Sequence, residues 1–167
     1  NTSVCSKLYS AVKEAANVDD NTIVIDAYSG AGLLTAILAV NAKKAIGVEI
    51  IKEAVDIANN LAEINGLQDK MINYCGKCED ILPNVISELN KDCKKVIVLD
   101  PPRKGCDIEV VRAVINSGAD RIIYVSCNPK TMVENLEVLL EHGYTVEKST
   151  VKDMFPNTPH AEVIVKL

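Results

Sequence analysis

A chain of 167 residues with 18 Lys+Arg against 23 Asp+Glu, 48% apolar residues and a net charge of −5 has the make-up of one globular domain, able to bury roughly 70% of its unfolded surface in a single core. The balanced 25% charged content is unlike a disordered acidic tail, and no apolar run reaches the roughly 20 residues that a membrane span needs. The acidic balance, with no Trp, one Phe and five Tyr, disfavours a self-sufficient nucleic-acid binder, which would present a basic face and aromatic platforms.

Residues 2–17 read as an amphipathic helix, because Leu8, Ala11, Val12 and Ala15 recur at helical spacing. The period then changes. Residues 22–28 form a short β-branched run of the kind that a parallel strand covered on both faces requires, and this run ends in Ser29-Gly30-Ala31-Gly32 before a helix resumes at 33–40. Further strands are predicted near 44–50, 71–75, 95–100 and 121–127, with helices in the gaps. The helix at 52–65 stops at Gly66, and the one at 129–142 starts at Pro129 and stops at Gly143, as helix ends prefer. Two last strands, near 145–151 and 162–167, have no helix between them and are expected to pair antiparallel. The alternation predicts an α/β fold: a seven-stranded, mostly parallel sheet with an antiparallel final strand and helices on both faces.

Ligands of such sheets bind outside the carboxyl ends of the strands, and the unusual residues lie there. Gly30 and Gly32 allow a tight turn and a close approach to a ligand, but Thr35 stands where a dinucleotide fingerprint would have its third glycine. A nicotinamide cofactor is therefore disfavoured. Glu49, at the end of the second strand, suits a ribose diol, so an adenosine-containing ligand without a pyrophosphate fits better. Asp100-Pro101-Pro102 is a stiff loop that can hold Asp100 and Arg103 beside a substrate. Cys127 precedes a proline-led helix whose N-terminus favours a thiolate, which makes it the candidate nucleophile.

The other cysteines, at positions 5, 75, 78, 93 and 106, have no disulfide-framework spacing and read as incidental reduced thiols. Cys75-x-x-Cys78 has no second pair, and only His142 and His160 could join it, so no metal is expected. Glu162 at the start of the last strand could serve as a catalytic base, but taken alone it reads rather as an edge-strand charge that blocks aggregation.

Taken together, Asp26-x-Tyr28-Ser29-Gly30-x-Gly32, Gly47-Val48-Glu49, Asp100-Pro101-Pro102-Arg103-Lys104-Gly105, Val125-Ser126-Cys127-Asn128-Pro129 and Asp153-Met154-Phe155-Pro156-x-Thr158-x-His160-x-Glu162 resemble the S-adenosylmethionine-dependent RNA uracil-5 methyltransferases. That resemblance spans the chain and implies a class I methyltransferase, Rossmann-like fold. It assigns Tyr28, Gly30, Gly32, Glu49 and Asp100 to the cofactor, Arg103 and Asn128 to the substrate, Cys127 as nucleophile, Glu162 as the base that removes the C5 proton, and Asp100 to the reacting centre. The implied partner is RNA, with ribosomal RNA expected ahead of transfer RNA, in a cytoplasmic, monomeric enzyme that makes 5-methyluridine. The chain opens on Asn1 rather than Met, in what matches the Asn of a family Gln-x-Asn motif. It is therefore expected to be the catalytic domain of a longer protein, with amino-terminal RNA-binding and central domains outside it. The resemblance departs at Leu33, where a polar residue is frequent, and at Asn157, where His is frequent. Two other readings stay open: a methyltransferase acting on an exocyclic amine, and a cofactor-binding scaffold without catalysis.

Overall fold

The computed structural model describes residues 2–89, 92–153 and 161–167. Elements follow in the order α1 (Thr2–Ala16), β1 (Thr22–Asp26), α2 (Leu33–Ala39), β2 (Lys44–Glu49), α3 (Lys52–Ile64), β3 (Met71–Cys75), α4 (Cys78–Glu88), β4 (Lys94–Leu99), α5 (Ile108–Ser117), β5 (Arg121–Ser126), α6 (Pro129–Glu141), β6 (Lys148–Asp153) and β7 (Ala161–Lys166). The strands make one seven-stranded sheet in the order β3-β2-β1-β4-β5-β7-β6. Among the described strands β7 alone runs opposite to the other six, pairing antiparallel with both β5 and β6. The expected class I methyltransferase sheet, mostly parallel with an antiparallel final strand, is thus the one observed.

The alternation of side chains along each central strand explains the two helical layers. On β1, Ile23 and Ile25 join the core beneath α4, α5 and α6, whereas Val24 faces the other way toward α1, α2 and α3. Ile97 and Leu99 repeat the first pattern on β4, and Val96 and Val98 the second. Ile25, Ile97 and Ile122 have no exposed surface, and each such side chain contributes about 1.5–3 kcal/mol on burial. Leu8, Val12 and Ala16 form the buried stripe of α1, an i, i+4, i+8 row that fixes that helix on the sheet.

The predicted strand boundaries hold to within a residue or two, except at β6. That strand begins at Lys148 rather than near 145, because its register is set by pairing with β7, from Lys148 opposite Lys166 to Asp153 opposite Ala161. Residues 144–147 remain outside the strand. The chain order reverses between β2-β1 and β4-β5, so the carboxyl ends of β1 and β4 part at the centre of the sheet. Asp26 ends β1 and Asp100 follows β4 at this point, where open α/β sheets bind ligands.

Candidate active site

The loop after β1 is built by glycines with two different duties. Gly30 has φ +52 with nothing within 4 Å of where a Cβ would stand, so this position opens onto the cleft. Gly32 has φ +78, and a Cβ there would lie 2.6 Å from Ala58 Cβ and 2.8 Å from Met71 Cε. Its N–H donates to Ser29 O at 2.9 Å. The bare Cα of Gly32 thus serves packing against α3, and its N–H is used within the loop.

Glu49 fastens this loop to the end of β2. Its Oε2 accepts from Gly30 N–H at 2.9 Å, and its Oε1 accepts from Ile51 N–H at 2.9 Å. Each carboxylate oxygen has a second lone pair, which leaves Glu49 able to accept from a diol while its orientation stays fixed. Beside it is a cleft of about 500 Å³ lined by Tyr28, Glu49, Ile50, Gly76, Lys77, Cys78, Asp100 and Lys104, among others. A second lobe of about 320 Å³ lies over Gly30, Ala31 and Leu33 and shares Tyr28 and Asp100 with the first. Such volumes suit a small-molecule ligand. Exposed Ile50, at the rim of the larger lobe, offers an apolar face to a flat ring.

Gly76, Lys77 and Cys78 were not among the candidates read from sequence. Applying the strand-end rule to β3, as to its neighbours, would have found them. Cys78, set aside there as an incidental thiol, is 5% exposed and forms part of the cleft wall, while Cys75 points outward and is exposed. Burial, then the nearby Cys106 thiol, pushes the Cys78 thiol well above its ordinary range. Among the described residues no three His, Cys, Asp or Glu side chains group as a metal site.

Three acids gather at the switch point. Asp26 is 1% exposed and accepts from Thr35 Oγ1 at 2.7 Å; burial foremost, with the charge of Glu49 adding, pushes its carboxyl up to about 6. Asp100 is ringed by protein but open to water at the cleft mouth. Burial, then the charges of Asp26 and Glu162, pushes it up to about 7, and water in the open cleft tempers that rise. Half-buried Glu162 is also raised, by burial, against the opposing charge of Arg103. Glu162, distant in sequence from Asp100 and Arg103, therefore forms one electrostatic group with them.

Cys127 stands at the apex of a tight turn between β5 and α6. Ser126 Oγ accepts from Asn128 N–H at 2.9 Å and donates to Asn128 O at 3.0 Å, bridging over the cysteine and holding it half-buried. The Asn128 side chain donates from Nδ2 to Arg103 O at 2.8 Å. It ties the loop after β4 to the start of α6. Glu162 lies in β7 beside β5; residues 154–160, the remainder of its motif including Asn157, lie outside the described residues.

Comparison with known proteins agrees with this geometry. The family model for tRNA (uracil-5-)-methyltransferase matches residues 83–167, and the model for RNA cap guanine-N2 methyltransferase matches residues 21–111. An uncharacterized RNA methyltransferase of Clostridium tetani is 43% identical over 167 residues, covering 100% of this chain and 35% of its own length. One from Oceanobacillus iheyensis is 41% identical over 161 residues, with 96% and 34% covered. The chain thus spans about a third of the length of these curated relatives. Among solved structures, the Pyrococcus abyssi tRNA (uracil-54, C5)-methyltransferase in complex with S-adenosyl-L-homocysteine superposes with TM-score 0.75 at 27% identity, over 96% of this chain and 37% of that one. By the match of its carboxyl-terminal half and its relatives over the whole length, the chain belongs to the RNA uracil-5 methyltransferase family.

Proposed function

We propose that this domain carries the cofactor site and the covalent chemistry of an S-adenosylmethionine-dependent enzyme that methylates C5 of a uridine in RNA. The observation that carries the reading is the pairing of β5 with β7, which brings the Cys127 turn and Glu162 to one end of the sheet beside Asp100. The cofactor reading rests on the cleft itself: a loop open at Gly30, a fixed acid at Glu49 and an apolar rim at Ile50 suit the glycine-loop, ribose and adenine contacts of that molecule. S-adenosylmethionine, when bound, supplies an electrophilic methyl group.

Uracil C5 is too weak a nucleophile to take that methyl unaided. Cys127, as thiolate, adds to C6 of the base; the electron pair of the C5–C6 double bond moves onto C5 and the C4 carbonyl, giving an enolate nucleophilic at C5. Asp100, with its carboxyl raised, is able to hold a proton and donate an O–H hydrogen bond to the charge that develops there. Once C5 is methylated, Glu162 takes the C5 proton, the double bond reforms and the thiolate leaves. A raised Glu162 carboxyl makes it a stronger base than an ordinary glutamate. A uridine stacked in a helix is out of reach of all three groups, so the target is single-stranded or turned out of its stack.

A second reading has a specific observation behind it. Residues 21–111, which include the glycine loop, Glu49 and Asp100-Pro101-Pro102, match a family that methylates an exocyclic amine. That half is compatible with either chemistry. Cys127 and Glu162 both lie in the half matched by the uracil-5 model, and amine methylation needs neither. Digesting methylated RNA to nucleosides separates the two: 5-methyluridine, lost on Cys127→Ala, is expected, whereas an N-methylated base formed equally well by Cys127→Ala would favour the second.

A further inference from the structure

One face of α6 is a polar row that grips the loop after β4. Asn128, Thr131 and Asn135, spaced by three and four residues, share that face. Asn128 Nδ2 and Thr131 Oγ1 both donate to Arg103 O, at 2.8 and 3.1 Å. Asn135 does more than either. Its Oδ1 accepts from Cys106 N–H at 2.8 Å and from Tyr124 O–H at 2.7 Å, and its Nδ2 donates to Cys106 O at 3.2 Å. One carboxamide thus holds both backbone groups of the residue that ends the loop, together with the hydroxyl of a tyrosine that has no exposed surface. Gly105, with φ +82, lets the loop lie this close, since a Cβ there would stand 2.9 Å from Asn135 Oδ1.

The loop therefore has two fixed ends. Asp100 leaves β4 directly, and Cys106 is pinned to α6, which begins at Pro129, two residues after Cys127. Between them Pro101 and Pro102 restrict the backbone, and Arg103, whose charge opposes the rise in Glu162, is held by its own carbonyl. We infer that Asn135 is a positioning residue for methyl transfer: through Cys106 and Tyr124 it sets the spacing of the Asp100–Arg103 loop against Cys127. It touches neither substrate nor cofactor in this role. The inference rests on the proposed C5 reaction.

The test is steady-state kinetics of 5-methyluridine formation by the intact protein, with calorimetric binding of S-adenosylhomocysteine and thermal melting beside it. Asn135→Ala is expected to lower kcat by about 10- to 100-fold, the scale of a misplaced reacting group, with a clearly smaller loss of cofactor affinity, because Asp100 and Lys104 of the same loop line the cleft while Glu49 and Gly30 are untouched. Asn135→Asp keeps the acceptor for Tyr124 and Cys106 N–H, loses the donor to Cys106 O, and is expected to recover part of the loss. Should Asn135→Ala fail to fold, Tyr124→Phe, which removes the hydroxyl bonded to Asn135 Oδ1, carries the test with a smaller kcat loss that again exceeds any loss of cofactor affinity. An unchanged kcat in the folded variant, or a loss matched by an equal loss of cofactor affinity, overturns the positioning role alone. A wild-type protein that forms no 5-methyluridine overturns the reaction and the inference with it.

Discussion

Cys127 and Glu162 each stand one residue beyond Ser126 opposite Val163, the last partners of the antiparallel β5–β7 register. Thirty-odd residues of chain separate them, and the strand order brings them back together. In the proposed reaction, one adds to the base and the other releases it.

If Glu162 is the base that allows release, Glu162→Gln should leave addition intact and stall elimination. The expected outcome is a fall in turnover of about 10²–10⁴-fold, in the range for losing a general base, with protein–RNA adduct accumulating on unmodified RNA. Denaturing gels with labelled RNA read this directly. A variant that loses turnover without any adduct would place Glu162 before the addition step.

Glu49 holds the glycine loop and the proposed ribose site with the same carboxylate. Glu49→Ala is therefore expected to weaken S-adenosylhomocysteine binding by at least about 10-fold, as losing hydrogen bonds to a charged group costs about 1.5–3 kcal/mol. Isothermal calorimetry measures it. Binding within 2-fold of wild type, roughly 0.4 kcal/mol, would exclude Glu49 from the ligand site.

The two glycines of the loop should part company on substitution. Gly30→Ala has open space for its Cβ and meets only the left-handed backbone penalty of about 1–2 kcal/mol. Gly32→Ala adds a collision with Ala58, so its loss of unfolding free energy in urea should exceed that of Gly30→Ala by about 1–3 kcal/mol. Equal losses would contradict the packing role.

Asp26 gives stability a pH dependence whose sign is fixed. Its folded-state carboxyl titrates at about 6 against an ordinary 3.8, so the native chain binds more protons than the unfolded one between those values. Stability is then greatest below the unfolded value and falls as pH rises toward 6. Asp26→Asn removes that titration while keeping an acceptor for Thr35. The stability of wild type relative to this variant should decline by of the order of 1–3 kcal/mol between pH 4 and pH 7. Urea unfolding at several pH values checks it; a pH-independent difference contradicts it.

Most of the sheet was legible in the sequence because fully buried parallel strands such as 22–26 and 95–99 are short β-branched runs punctuated by helix caps. β6 was less so. Its residues carry no continuous apolar run, and its limits come from pairing with β7. At the site, Glu49 and Cys127 were legible because strand ends are where polar residues stand out. What sequence could not supply was partnership at a distance: that Gly32 lies under Ala58, that Asn128 bonds Arg103 O, and that Asn135 holds Cys106. Each depends on which helix packs beside which loop, and spacing along the chain does not encode that.

The central claim is that Cys127 forms a bond to C6 of a uracil, and RNA in which the target uridine carries fluorine at C5 tests it most directly. Fluorine cannot be removed as a proton is, so elimination is blocked and the adduct persists. The intact protein incubated with this RNA and S-adenosylmethionine should yield a denaturation-stable complex whose linked peptide maps to Cys127, absent in Cys127→Ala. Full 5-methyluridine formation by Cys127→Ala, or an adduct mapping to another residue, would contradict the account.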